Sequence, residues 1–145
     1  MSDTADQLQA VLARIPYARF LNLRAELHGD EMTAILPYSE HLIGNPTLPA
    51  LHGGVIGAFM EIAALAQLSI SHDLARQPRP IGVTVEYLRS GRPVDTYARA
   101  TLKRVGWRVA NVQVEAWQGV RAAPIAALHG HFLITRAAES ETPNV

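Results

Sequence analysis

The residue types able to do chemistry gather in one short run, Leu51-His52-Gly53-Gly54-Val55-Ile56-Gly57-Ala58-Phe59-Met60-Glu61. Glu61 is the one charged residue between Gly53 and Ile70. A carboxylate in such apolar surroundings either finds a partner or stays poorly solvated, and poor solvation raises its pKa and strengthens it as a base. It can equally be a structural carboxylate, paired across an interface with an arginine or with backbone N–H groups. Gly53 and Gly54 stand where a helix would begin. The first turn of a helix leaves N–H groups unpaired, the helix dipole adds partial positive charge there, and a residue without Cβ lets a ligand come close. The pair therefore suits a developing oxyanion, or simply a tight reversal of the chain into a helix. His52 and Glu61 are nine residues apart. At about 100° per residue they fall on opposite faces, so His52 reads as a hydrogen-bonding residue at the helix start rather than as the base.

Other constellations are weaker. His129 and His131 lie on one face of a strand, but no third ligand accompanies them, so no metal site is expected. The chain has no cysteine, which removes disulfides, thiolate metal sites and cysteine nucleophiles. It has no Gly-x-Ser-x-Gly elbow, Walker loop or dinucleotide glycine pattern. Thirteen basic residues balance thirteen acidic ones, so there is no overall field for nucleic acid or an anionic membrane. Any anionic ligand must be held locally. Arg89, Arg92, Arg104 and Arg108 stand around strand ends and turns, where their forked donors suit phosphate or merely keep a strand edge polar.

The elements that must position Glu61 follow from pattern. Leu8, Val11, Leu12 and Ile15 keep helical spacing behind the candidate caps Ser2 and Asp3, and Pro16 ends that helix. Leu21 to Leu27 alternates, His28-Gly29-Asp30-Glu31 turns, and Met32 to Leu36 completes a hairpin. Three prolines between Pro37 and Leu51 predict a loop. Gly53 to Ile70 is long enough for a membrane span, yet a central acid and no close basic flanks make it a helix buried in protein. Four strands are predicted after Pro80: Ile81 to Leu88, Thr96 to Val105, Trp107 to Trp117 and Pro124 to Thr135. In the third, Asn111, Gln113 and Glu115 alternate with Ala110, Val112 and Val114, the mark of a strand with one wet face. With no strand–helix alternation the sheet is antiparallel, and six strands curled around an apolar helix cover it. This is an α+β hot-dog fold, one domain over residues 1–136, with 137–145 a disordered tail.

The same residues resemble a known family. Leu51 to Glu61 is similar to the signature of hot-dog acyl-CoA thioesterases of the phenylacetate-degradation (PaaI-like) type, where an acid follows the His of His-Gly-Gly by nine residues. Ile81-Gly82-Val83-Thr84-Val85-Glu86-Tyr87-Leu88-Arg89 and Arg104-Val105-Gly106-Trp107-Arg108 continue the resemblance, which covers about Tyr17 to Thr135. It implies thioester hydrolysis, with the Gly53 N–H on the carbonyl and Glu61 as base or nucleophile. It also implies Asn45 as a positioner of water, although Asn45 stands seven residues before His52 rather than six, and Thr84 as a contact of the water or acid.

Spacing adds a condition. Gly53 and Glu61 are eight residues apart, about 12 Å along one helix axis, so one carbonyl cannot touch both. Antiparallel pairing of the helix with its copy brings Gly53 of one subunit to Glu61 of the other. The expectation is a homodimer with shared sites, assembled further as a dimer of dimers, taking acyl-CoA without a cofactor. The acidic N-terminus does not read as a signal peptide, and a cytoplasmic protein is expected. Two alternatives remain at this point. One is a hot-dog dehydratase or hydratase, whose histidine loop His41-Leu42-Ile43-Gly44-Asn45-Pro46 resembles; the other is a non-catalytic acyl-binding protein in which Glu61 fixes the dimer.

Overall fold

The strand expected over Trp107 to Trp117 runs Val109–Trp117 and shows how the sheet is made. Ala110, Val112, Val114 and Ala116 are buried, while Gln113 and Glu115 face water and Asn111 is half-buried. The computed structural model describes residues 2–137, and the expectation of a disordered tail lies, apart from Ala137, outside them. The candidate caps Ser2 and Asp3 have side chains that likewise lie outside what is described. In chain order the elements are α1 (Ser2–Arg14), α2 (Pro16–Phe20), β1 (Arg24–His28), β2 (Glu31–Leu36), β3 (Ile43–Asn45), β4 (Ala50–Leu51), α3 (Gly53–Ser71), β5 (Arg79–Tyr87), β6 (Thr96–Val105), β7 (Val109–Trp117) and β8 (Ala126–Leu133). The main sheet is six-stranded in the order β1-β2-β6-β7-β8-β5, and every neighbouring pair is antiparallel.

This sheet wraps α3, as the hot-dog order requires. Phe59, Met60, Ala64 and Leu68 of the helix are fully buried against inward residues such as Ala98, Val112, Leu128 and Phe132. Leu8, Val11 and Leu12 of α1, with Ile15 just after it, close the core, the residues the helical spacing selected. Although α3 is long and apolar enough to cross a membrane by length and composition, most of it lies inside this shell.

Several boundaries differ from expectation, each for a local reason. Pro16 ends α1 but also starts α2 at its first position, where the missing N–H costs nothing. The strand predicted from Leu21 begins at Arg24, because Asn22 adopts φ 57°, a left-handed conformation that asparagine tolerates. The loop predicted over residues 37–51 contains a 3-10 turn (Glu40–Leu42) and the two-stranded β3–β4 ribbon, with Pro46 and Pro49 in the connection between the strands. Strand β5 reaches back to Arg79 and takes in Pro80, which an edge strand accommodates.

Candidate active site

His52 sets the start of α3. Its backbone is extended, at φ −66° and ψ 129°, and its Nδ1 accepts the Gly54 N–H at 2.9 Å. Its own N–H reaches the Leu42 carbonyl at 2.8 Å, and its carbonyl accepts the Val55 N–H at 3.1 Å. A helix start leaves four N–H groups to satisfy. Here those of His52, Gly54 and Val55 have partners, and only the Gly53 N–H meets none among the described residues. His52 thus makes hydrogen bonds at the helix start, and among the described residues one donor of that turn, the Gly53 N–H, is left without a partner.

Two neighbours hold this turn in place. The Tyr87 hydroxyl donates to the Gly53 carbonyl at 2.7 Å from the end of β5. A Cβ on Gly53 would stand 3.3 Å from the Tyr87 ring, and one on Gly57 would stand 3.3 Å from its hydroxyl, so both glycines make room for this side chain. On the other side Gly44 of β3 presses on the turn: a Cβ there would lie 2.8 Å from the His52 Cα. The peptide joining Gly53 to Gly54 is thus gripped at its oxygen by Tyr87 and at its N–H by His52.

Glu61 sits two turns further along α3, half-buried. Desolvation raises its pKa above the ordinary 4.5, and no hydrogen bond or ion pair meets its carboxylate among the described residues. It belongs to the part of the helix that the sheet leaves uncovered. Gly54, Gly57, Ala58 and Glu61 are exposed or half-exposed at helical spacing, whereas everything from Ile62 to Leu68 is buried. Glu61 and Gly53 remain about 12 Å apart along the axis.

The other residues selected from the sequence are distributed unevenly. Asn45 ends β3, and its Oδ1 accepts the N–H groups of Thr47 and Leu48 at 3.0 and 3.3 Å, which shapes the loop and leaves the side-chain amide N–H₂ to donate. Thr84 is a correction. It stands in register with exposed His129, on the sheet face turned away from α3, while its neighbours Val85 and Tyr87 face the helix. The period of two along β5 excludes Thr84 from the helix side, and Tyr87 takes the position at the Gly53 turn. The four arginines do not form one cluster either. Arg89 and Arg92 follow β5 at the Gly53 end, and Arg89 donates to the Pro124 carbonyl. Arg104 and Arg108 flank the β6–β7 turn at the far end of the sheet.

Two grooves leave the Gly53 turn. One, of about 350 Å³, runs past Tyr87, Arg89, Ser90 and Gly91; the other, of about 400 Å³, runs past Tyr17, Phe20, Ile43 and Val55. A third cavity, of about 390 Å³, opens at the other end of α3 beside Arg14, His72 and Arg76, away from both Gly53 and Glu61. Sequence reasoning missed Tyr87, although it lies in the run that carries the resemblance. It also missed Tyr17 and Phe20, whose only signal was an aromatic pair three residues apart.

The chain resembles known proteins in sequence and in fold. The profile of the thioesterase superfamily matches residues 48–124, which span the Gly53 turn, α3 and the strands to β7. The medium/long-chain acyl-CoA thioesterase YigI of Escherichia coli K12 is 30% identical over 115 residues, covering 70% of this chain and 74% of that protein. Among solved structures, a Chromobacterium violaceum protein superposes with a TM-score of 0.73 at 31% identity, over 94% of this chain and 99% of that one. A Bacillus halodurans protein solved with CoA gives 0.73 at 20% identity, over 94% and 91%. Because the family match spans more than half of its residues and its six-stranded sheet and long helix are those of the fold, this chain belongs to the thioesterase superfamily.

Proposed function

We propose that the protein hydrolyses an acyl-CoA thioester to free CoA and a carboxylic acid, in sites shared between two subunits. The observation that carries this reading is Glu61: a half-buried carboxylate without a partner among the described residues, on the uncovered face of a helix whose start holds one N–H likewise unpaired. An acid that served only the fold of its own chain would be expected to have a partner within it. YigI acts on medium- and long-chain acyl-CoA, and the B. halodurans protein holds CoA, which supports the substrate class.

In the proposed reaction the thioester carbonyl oxygen accepts the Gly53 N–H. Glu61 of the partner subunit either takes a proton from water as that water attacks the carbonyl carbon, or attacks the carbon itself to give an anhydride that water then opens. The tetrahedral centre collapses, the carbon–sulfur bond breaks, and the CoA thiolate leaves and takes up a proton. Preorganised donors of the Gly53 kind are usually a large catalytic term, because they need no reorientation as charge develops.

Two features support a dimer. The stripe Gly54, Gly57, Ala58 is small enough for a second α3 to approach closely, and β5 offers a free strand edge with Ile81 59% exposed. Antiparallel pairing on a two-fold axis satisfies both features and turns the far end of each sheet, with Arg104 and Arg108, toward the partner. Arg89 and Arg92 are then the CoA phosphate contacts supplied by the Gly53 subunit. The amide of Asn45 is left to orient water, dimers pair further, and the protein works in the cytoplasm. The hydratase alternative would need His41 beside Glu61; its Nδ1 instead meets Ser39 Oγ at 2.8 Å and its ring packs edge-on to Phe20.

The test is complementation. Glu61→Gln and Gly53→Pro homodimers should each be nearly inactive in thiol release, while a refolded equimolar mixture should regain about a quarter of wild-type activity, since half the dimers then hold one intact site. A mixture no more active than its components would rule out shared sites, and a wild-type protein silent on all acyl-CoAs would rule out the reaction.

A further inference from the structure

Resting on that reaction, the two grooves at the Gly53 turn can be told apart. A thioester held by its carbonyl at the Gly53 N–H extends in two directions, one arm carrying the phosphates of CoA and the other the acyl group. The groove past Tyr87 has Arg89 and Ser90 in its wall, which suits the charged arm. The groove on the α2 side has no Asp, Glu, Lys or Arg in its wall, and His41, His52 and the Tyr17 phenol are its titratable groups. We infer that this second groove is the acyl subsite, and that it takes an uncharged, apolar acyl group much larger than acetyl, a medium-length chain or a ring.

Its wall is built rather than incidental. Tyr17 and Phe20 lie on one face of α2, with Ala18 and Leu21 buried on the other side. Their rings stack at 5.7 Å and 16°, and Phe20 meets the His41 ring edge-on at 5.1 Å and 79°. Ser39 Oγ fixes His41 in turn, 2.8 Å from its Nδ1. Leu42 and Ile43 form the floor, Val55 the near side, and His52 with Gly54 joins the groove directly to the Gly53 turn. Phe20 is 59% and Tyr17 41% exposed, so a fixed aromatic surface faces water beside the reacting carbonyl. The groove volume of about 400 Å³ is more than twice that of the ~150 Å³ cavity that holds a benzene ring.

The experiment is kcat/KM across acetyl-, butyryl-, hexanoyl-, octanoyl-, decanoyl- and phenylacetyl-CoA, for wild type, Phe20→Ala, Tyr17→Ala and Val55→Trp, with melting temperature and dimer mass checked for each. In wild type kcat/KM should rise roughly fourfold per methylene, the equivalent of ~0.8 kcal/mol each, until the groove is full. Phe20→Ala and Tyr17→Ala should flatten that slope, and Val55→Trp should lower the chain length at which it ends. An equal proportional loss at every chain length, or a shift of Phe20→Ala from dimer to monomer, would assign the wall to folding or to subunit contact instead. Wild-type hydrolysis with an unmoved slope in all three variants removes the subsite and leaves the reaction standing. A wild type silent on every substrate removes both.

Discussion

The two halves of α3 bury their polar groups in opposite ways. In the second half, Ile62 to Leu68 is enclosed, and its one polar side chain, Gln67, is 6% exposed and fully engaged. Gln67 Oε1 accepts the Met32 N–H at 3.3 Å, and Nε2 donates to Ser71 Oγ at 2.9 Å and to the Asp30 carbonyl at 3.5 Å. In the first half, within the same helix and about two to four turns away, neither Glu61 nor the Gly53 N–H has a partner among the described residues. A buried amide that makes its bonds ties β2 to the helix and costs little. A half-buried carboxylate left without them carries a free-energy cost in the folded monomer, and that cost is consistent with reactivity or with an absent partner.

Breaking the first half should have the largest effect. Glu61→Gln removes the base with little change in volume, and kcat should fall about 10²–10⁴-fold, the usual contribution of a positioned base. Wild-type kcat/KM should rise with pH through a limb above 4.5, since the carboxylate must be ionised and burial raises its pKa. Stability has the opposite sign. A folded-state pKa above the unfolded one means stability lost as pH rises from about 4.5 through the raised value. At neutral pH the Gln variant should then melt no lower than wild type while its hydrolysis falls. A clear drop in melting temperature would show that Glu61 holds the dimer together.

Gly53→Pro comes next. Residue 53 is the first of the helix, where proline fits, and His52 before it already has the extended backbone that a following proline requires. The substitution deletes the unpaired N–H, its Cβ makes the Tyr87 ring give by a few tenths of an ångström, and kcat should fall about 10²–10³-fold. Activity retained within a few-fold would move the oxyanion contact elsewhere. In the second half, Leu68→Ala should cost about 2–5 kcal/mol in urea or thermal unfolding, because a fully buried leucine leaves a cavity under β6 and β7. Its kcat at a temperature where it stays folded should remain close to wild type.

The contrast also explains what the sequence could and could not disclose. The burial of Leu8, Val11, Leu12 and Ile15, the alternation in β7 and the all-apolar α3 are period signals, and each could be read without knowing any neighbour. Glu61 stood out because it is the one charge in that helix. Tyr87 and Gly44 did not, since each matters through a contact that no local period reports: one across 34 positions for the Tyr87 hydroxyl and Gly53, and one made by the fold-back of the β3–β4 ribbon for Gly44 and His52. Thr84 was misplaced by the same limitation. A one-residue error along a strand moves a side chain to the other face, and only the pairing of Thr84 with His129 fixes which face that is.

Tyr87 offers the smallest but sharpest test of the first half. Its hydroxyl acts through the Gly53–Gly54 peptide rather than on the thioester, so Tyr87→Phe should leave the groove, the ring packing against Gly53 and the melting temperature almost unchanged. What it removes is one hydrogen bond to the Gly53 carbonyl, worth about 0.5–1.5 kcal/mol, and kcat should fall several-fold with KM nearly constant. His52 then grips the same peptide alone, at the Gly54 N–H. The two grips therefore share one task, and Tyr87→Phe combined with His52→Ala should lose more than the product of the single losses. Losses that simply multiply would mean that the helix start is held well enough by its own backbone, and that Tyr87 serves only the wall of the groove.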